Sequence, residues 1–167
     1  MTGGGSGQMS RSRHGRRSVA RLAAVQALYQ IEINATDPDD VVEEFSRQRP
    51  DGDDEAGLPM APDPELFADL VRGTCARRAE VDPLIAGALA ENWTLDRLEL
   101  VLRAVLRCGA FELLSRPDVP AAVVIDEYVE VAGAFFERGE PGLVNGVLDR
   151  LARDLRPTEL EARDDVA

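Results

Sequence analysis

The chain contains no lysine, one histidine, two cysteines and few aromatic residues. The lone histidine, His14, lies in a basic N-terminal stretch, where nothing would hold it in an acid/base geometry. Two cysteines, Cys75 and Cys108, make neither a disulfide framework nor a zinc cluster. They read as small buried apolar residues with reduced thiols, which fits a cytoplasmic protein. No apolar run approaches the ~20 residues of a membrane span, so no membrane partner is expected. The opening MTGGGSGQMSRSRHGRR is polar and then basic, without the apolar core of a signal peptide. There is no glycine-rich phosphate loop, no GxSxG and no HExxH. Asp126 and Glu127 are adjacent on an expected helix, so their side chains diverge by about 100° and do not share a proton. These absences argue against an enzyme, a cofactor and a metal.

What is present is an ordinary apolar content, 44% of 167 residues, enough for one domain or two closely packed subdomains. The net charge of -12 is unevenly spread. Residues 1–31 carry Arg11, Arg13, Arg16, Arg17 and Arg21 and no acid, while the other 14 arginines face all 31 acids. A basic arm on an acidic body implies two surfaces: one for a polyanion, one for a basic protein.

Helical periodicity dominates. VARLAAVQALYQIEI, from Val19 to Ile33, reads as a buried helix capped by Ser18 and preceded by a disordered basic arm over 1–17. Val41, Val42 and Phe45 suggest a short helix. An acidic loop over about 47–64 follows, with Pro50, Pro59, Pro62 and Pro64. Helix resumes near Glu65, and Pro83 suggests a new start after a turn at 81–83. Thr94 caps a helix on which Leu95, Leu98, Leu102, Val105 and Gly109 share a stripe. Asp118 and Pro120 open a helix over 121–136, with Asp126, Glu127 and Glu130 on its wet side. A last helix covers 143–155, and 158–167 form an acidic tail. No strand pattern survives, so the fold class is all-α, a bundle of six or seven helices.

The residues alone leave some readings open. RSRHGRRSVAR suits RNA, because arginine forks match phosphates and stack on bases, but it equally suits loose polyanion binding. Gln26 and Tyr29 read first as a satisfied packing pair, and Trp93 as an anchor between helices. Asn145-Gly146 is either a cap permitting close packing or a polar window at a ligand surface.

Four segments together resemble the NusB family of bacterial transcription antitermination factors. They are ARLAAVQALYQIE from Ala20, LRAVLRCGAFELL from Leu102, RPDVPAAVVIDEYVEVAGAFF from Arg116 and LVNGVLDRLARDLRP from Leu143. Their order and spacing cover about Arg16 to Pro157. The resemblance implies a NusB-like helical bundle over 18–157: two three-helix subdomains plus an N-terminal helix, without enzymatic activity. It implies binding, together with the ribosomal protein NusE, to single-stranded boxA-type RNA of ribosomal RNA leaders, within an RNA polymerase antitermination complex. By the same resemblance the RNA-binding positions are Arg13, Arg16, Arg17, Arg21, Gln26, Leu143 and Asn145. Tyr29, Ile33 and Asp96 are protein-partner positions.

The chain departs from the family pattern near its VNG segment. The aromatic is Leu143, the residue before it is Gly142, and the polar position four before Leu143 is Gly139. These departures keep a rival open, a NusB-fold homodimer that binds protein and only weakly or non-specifically RNA. A second rival is a fragment of an RNA methyltransferase that carries a similar helical domain.

Overall fold

The computed structural model describes residues 5–48 and 60–160, with side chains from Gly15 onward. Among the described residues there are seven α-helices, a further helical stretch over 157–160, one 3₁₀ turn and no strand. The chain divides into two compact units, Met1–Arg72 and Gly73–Ala167.

In the first unit, α1 spans Gly5–Asn34 and α2 spans Pro38–Arg47. α3 spans Pro64–Ala76 and begins in this unit. Helix therefore continues back from Ser18 to Gly5, where an irregular arm was expected. No proline interrupts this stretch, and arginine is a good helix former. Ser18 accordingly sits within a helix and is not its cap. α1 ends where Ala35 takes φ 52°, a left-handed stop. Asp37 then caps α2, its Oδ1 accepting from the Asp39 amide at 2.8 Å, with Pro38 in the first turn. Asp63 does the same for α3, accepting from the Leu66 amide at 3.0 Å. Its own amide donates to the Arg16 carbonyl at 3.0 Å, which ties the start of α3 to α1. Phe45 and Phe67 stack at 3.8 Å, and Arg72 reaches Asp39 at 2.7 Å across α2 and α3. Of the acidic loop expected over 47–64, residues 49–59 lie outside the described residues.

In the second unit, α4 spans Arg78–Ala88 and a 3₁₀ turn, η1, covers Leu95–Arg97. α5 spans Leu100–Ser115, α6 Ala121–Phe135 and α7 Glu140–Leu155. α5, α6 and α7 pack on one another, and α4 packs on α5 and α7. The break before α4 falls at Arg77, not at 81–83, and Pro83 lies inside the helix. Val81, Ile85 and Ala88 explain this: they recur at helical spacing and are all buried, which requires one continuous helix. Their burial offsets the bond that exposed Pro83 removes. Arg77 holds the start of α4 by gripping Glu80 at 3.2 and 2.8 Å. This contact keeps the Glu80 carboxyl below its ordinary range, first through the hydrogen bond and then through the arginine charge.

Thr94 precedes η1 without a side-chain cap bond, and α5 starts only after Glu99. Leu98, Leu102, Val105 and Gly109 are buried as their spacing predicts. The glycine pair on this core is sterically demanded. A Cβ at Gly73 would stand 2.1 Å from Phe111 Cζ, and one at Gly109 would stand 2.9 Å from Leu148 Cδ1. At the centre, Tyr128 donates its hydroxyl to Glu112 Oε1 at 2.8 Å, with Cys108 Sγ 3.1 Å from the same hydroxyl. Glu127, expected on the wet side of α6, is buried. It lies between Val124 and Val131 on the inward face, at helical spacing from both.

Asp118 does not cap α6; it is exposed and pairs with Arg116 at 3.8 Å. The first amide of α6, that of Ala121, donates instead to Glu159 Oε1 at 3.1 Å. The neighbouring Arg156 closes the other end of this junction. Its guanidinium donates to the carbonyls of Leu113 at 3.0 Å, Arg116 at 2.7 Å, Glu112 at 3.3 Å and Val119. Those carbonyls lie at the end of α5 and in the turn behind it, where a cation is favourable, and two of them, Glu112 and Arg116, also accept the amides of Arg116 and Val119. The tail expected from 158 therefore begins as structure: 157–160 are helical and Leu160 is buried, while 161–167 lie outside the described residues.

Candidate nucleic-acid and partner interface

The expected site residues fall in both units. On α1, Arg16 is exposed and Arg17 is half-buried. The backbone of Arg13 is helical, and its side chain lies outside the described residues. Arg21 is different. It is 2% exposed, ranks among the largest fully buried side chains and is engaged within the protein. The structure therefore buries the Arg21 guanidinium, and Arg21, unlike Arg16, presents no surface cation. The sequence held a signal for this. Arg21 shares a helical stripe with Val25 and Leu28, both buried, and is flanked by buried Ala20, Ala23 and Ala24.

Gln26 and Tyr29 are half-buried and Ile33 is 50% exposed. At about 100° per residue these three share one stripe of α1, within about 60° of one another. Arg17 stands about 180° from Gln26 on the same helix. The structure thus brings Gln26, Tyr29 and Ile33 together and sets Arg17 on the opposite side. This stripe stays accessible beside the buried one formed by Val25 and Leu28.

In the second unit, Asp96 is exposed on η1 and Asn145 is exposed on α7. Leu143 is half-buried and lines an open cavity of about 430 Å³. Buried Leu98 and Leu102 form the cavity floor. Trp93 before η1, Arg97 at its end and Glu99 at the cap of α5 border it, and so do Gly139 and Glu140 at the start of α7. Leu143 and Asn145 are two residues apart, about 200° around the helix, and only Leu143 faces this cavity. Trp93, expected as an anchor between helices, is 49% exposed at the mouth. The cavity was not legible in the sequence, because Trp93 and Glu140 stand far apart along the chain.

Among the described residues no group of three or more His, Cys, Asp or Glu side chains is placed to hold a metal. Among the same residues, no helix is long and apolar enough to cross a membrane. What the surfaces offer is a basic helix start, an amphipathic stripe and an acid-rimmed groove, which are means of binding.

Known proteins match this geometry and sequence. A protein of Caulobacter vibrioides named transcription antitermination protein NusB is 53% identical over 148 residues, 89% of this chain and 99% of that protein. One of the same name from Maricaulis maris is 50% identical over 86% of this chain and 89% of its own length. The solved structure of T. maritima NusB superposes with a TM-score of 0.70 at 33% identity, covering 87% of this chain and 96% of that one. A NusB solved with NusE and double-stranded RNA has the same fold, with a TM-score of 0.65 at 24% identity over 83% of this chain and 97% of that one. The NusB family profile matches residues 18–153, and with these relatives it shows that the chain belongs to the NusB family, the non-enzymatic transcription antitermination factors.

Proposed function

We propose that this protein binds boxA-type single-stranded RNA of ribosomal RNA leaders jointly with NusE. The pair then joins the RNA polymerase antitermination complex in the cytoplasm. The observation that carries this reading is the charge division. Residues 1–31 hold five arginines and no acid, while the remainder is strongly acidic. Exposed Arg16 and half-buried Arg17 supply forks for phosphates and planes for unstacked bases. Asn145 adds a polar group exposed on α7. Tyr29, Ile33 and Asp96 offer the basic partner an aromatic, an aliphatic and an acidic contact. Membership of the NusB family, together with relatives about 50% identical that carry the antitermination name, supports the same reading.

A second reading is favoured by one feature. Gly139, Gly142 and Gly146 at and near the start of α7 carry no side chain, and a Cβ at each would meet nothing within 4 Å, so at these positions the chain offers an RNA base no side-chain contact. In that reading the chain is a homodimerising protein-interaction module with weak RNA binding. The double variant Arg16→Ala/Arg17→Ala separates the two. It is expected to weaken RNA binding at least about tenfold and to lower the salt slope by about one per lost phosphate contact. NusE affinity should stay within about threefold. Unchanged RNA affinity in this variant would give the lead to the interaction module.

A further inference from the structure

α1 has a weak point beside the two arginines that stand ready for RNA. Gly15 lies inside the helix, one residue before Arg16, and glycine disfavours helix about fivefold relative to alanine. Residues 60–63 cover this point. A Cβ at Gly15 would stand 3.0 Å from Met60 Sδ and 3.1 Å from Met60 Cε, so the thioether occupies the space that the missing side chain leaves. Pro62 is buried, and the Asp63 amide donates to the Arg16 carbonyl at 3.0 Å. Asp63 is itself fixed: its Oδ1 accepts from the Leu66 amide at 3.0 Å, and its carbonyl accepts from the Phe67 amide at 3.1 Å. Leu66, Phe67 and Leu70 are buried and anchor α3 in the core of the same unit.

The basic helix start thus has a fixed point of attachment just where Arg16 and Arg17 begin. Backbone that is ordered before RNA arrives loses less conformational freedom on binding, so order at Gly15 raises affinity without a new contact. A thioether suits this place, because an unbranched and flexible apolar side chain fills an irregular gap over bare backbone. We propose that Met60 is a positioning residue for RNA binding: by covering Gly15 it keeps α1 helical through Arg16 and Arg17. The proposal rests on the reading that these two arginines bind RNA, and it adds what holds them ready.

Met60 is 42% exposed, so Met60→Ala leaves the core intact. RNA affinity is read by fluorescence anisotropy with boxA-type RNA, and the order of the helix by amide hydrogen exchange at Arg16 and Arg17. Met60→Ala is expected to speed that exchange at least about fivefold and to weaken RNA binding at least about threefold, with NusE affinity within about twofold. The double variant Gly15→Ala/Met60→Ala separates positioning from contact. Alanine restores helix preference at position 15, and without the thioether its Cβ has room. Exchange and RNA affinity should then return to within about twofold of the wild type. If binding weakened by Met60→Ala is not recovered in the double variant, Met60 touches RNA itself and the positioning role is overturned. Unchanged exchange or unchanged RNA affinity in Met60→Ala overturns it as well, while the functional reading stands as long as Arg16→Ala/Arg17→Ala weakens RNA binding. If that arginine variant binds RNA as the wild type does, the functional reading falls and the proposal falls with it.

Discussion

Truncating Arg156 to alanine removes one guanidinium and unfastens two helix ends. Arg156 is almost wholly buried, its side chain 8% exposed, and it donates to four carbonyls at the end of α5 and in the turn behind it. It also touches Glu159 at 3.3 Å, and Glu159 in turn accepts the first amide of α6. A hydrogen bond to a charged group contributes about 1.5–3 kcal/mol, and a cation at a helix C-terminus adds about 0.3–1. The contributions do not add, because water reaches some carbonyls once the side chain is gone. A net loss of about 3 kcal/mol is therefore expected. At about 2–4 °C per kcal/mol for a chain of this size, the melting temperature should drop by about 6–12 °C. Thermal unfolding followed by circular dichroism measures this. Arg156→Lys should recover less than half of the loss, since one ammonium cannot reach four carbonyls. Glu159→Ala should cost about 1 kcal/mol through the lost cap of α6. A shift below about 2 °C for Arg156→Ala would refute the view that this side chain fastens the α5–α6 junction.

Three further outcomes are expected. Tyr128→Phe removes the donor to Glu112, which is fully buried, and should cost about 1–3 kcal/mol in urea unfolding; a loss under about 0.5 kcal/mol would show that Glu112 is satisfied without it. Gly73→Ala forces a Cβ into the Phe111 ring and should cost at least about 1–3 kcal/mol by the same assay, whereas Gly87→Ala, which meets nothing, should be neutral or stabilising. Glu80 has its folded pKa depressed by Arg77, so its small contribution is present at neutral pH and is lost as pH falls through the folded value. An NMR titration of the Glu80 carboxyl should show its midpoint rise in Arg77→Ala, and an unmoved midpoint would contradict the pairing.

Much of the fold was legible because burial follows period. Leu98, Leu102, Val105 and Gly109 advertise an inward stripe, and the structure buries them. Segments that join distant residues were not legible. Nothing near Arg156 in sequence announces the carbonyls of Leu113 and Arg116. Pro83 misled for a related reason: its local preference for a helix start lost to the tertiary demand of Val81 and Ile85. The site divides in the same way. Arg16 and Arg17 belong to a basic stretch that composition reveals. Arg21 does too, yet the alanines and valine around it bury it, because composition counts charges without placing them on a face. Glu127 repeats the lesson on α6. The cavity between η1, α5 and α7 depends on Trp93 meeting Glu140 across the bundle, which no local pattern encodes.

The central claim is specific RNA recognition shared with NusE. Fluorescence anisotropy with labelled boxA-type RNA and a scrambled control, with and without NusE, at two salt concentrations, tests it most directly. Tighter binding to boxA, strengthened by NusE and retained at the higher salt, is the expected result. Equal and strongly salt-dependent binding to both RNAs, indifferent to NusE, would contradict it and reduce the basic helix start to a generic polyanion hook.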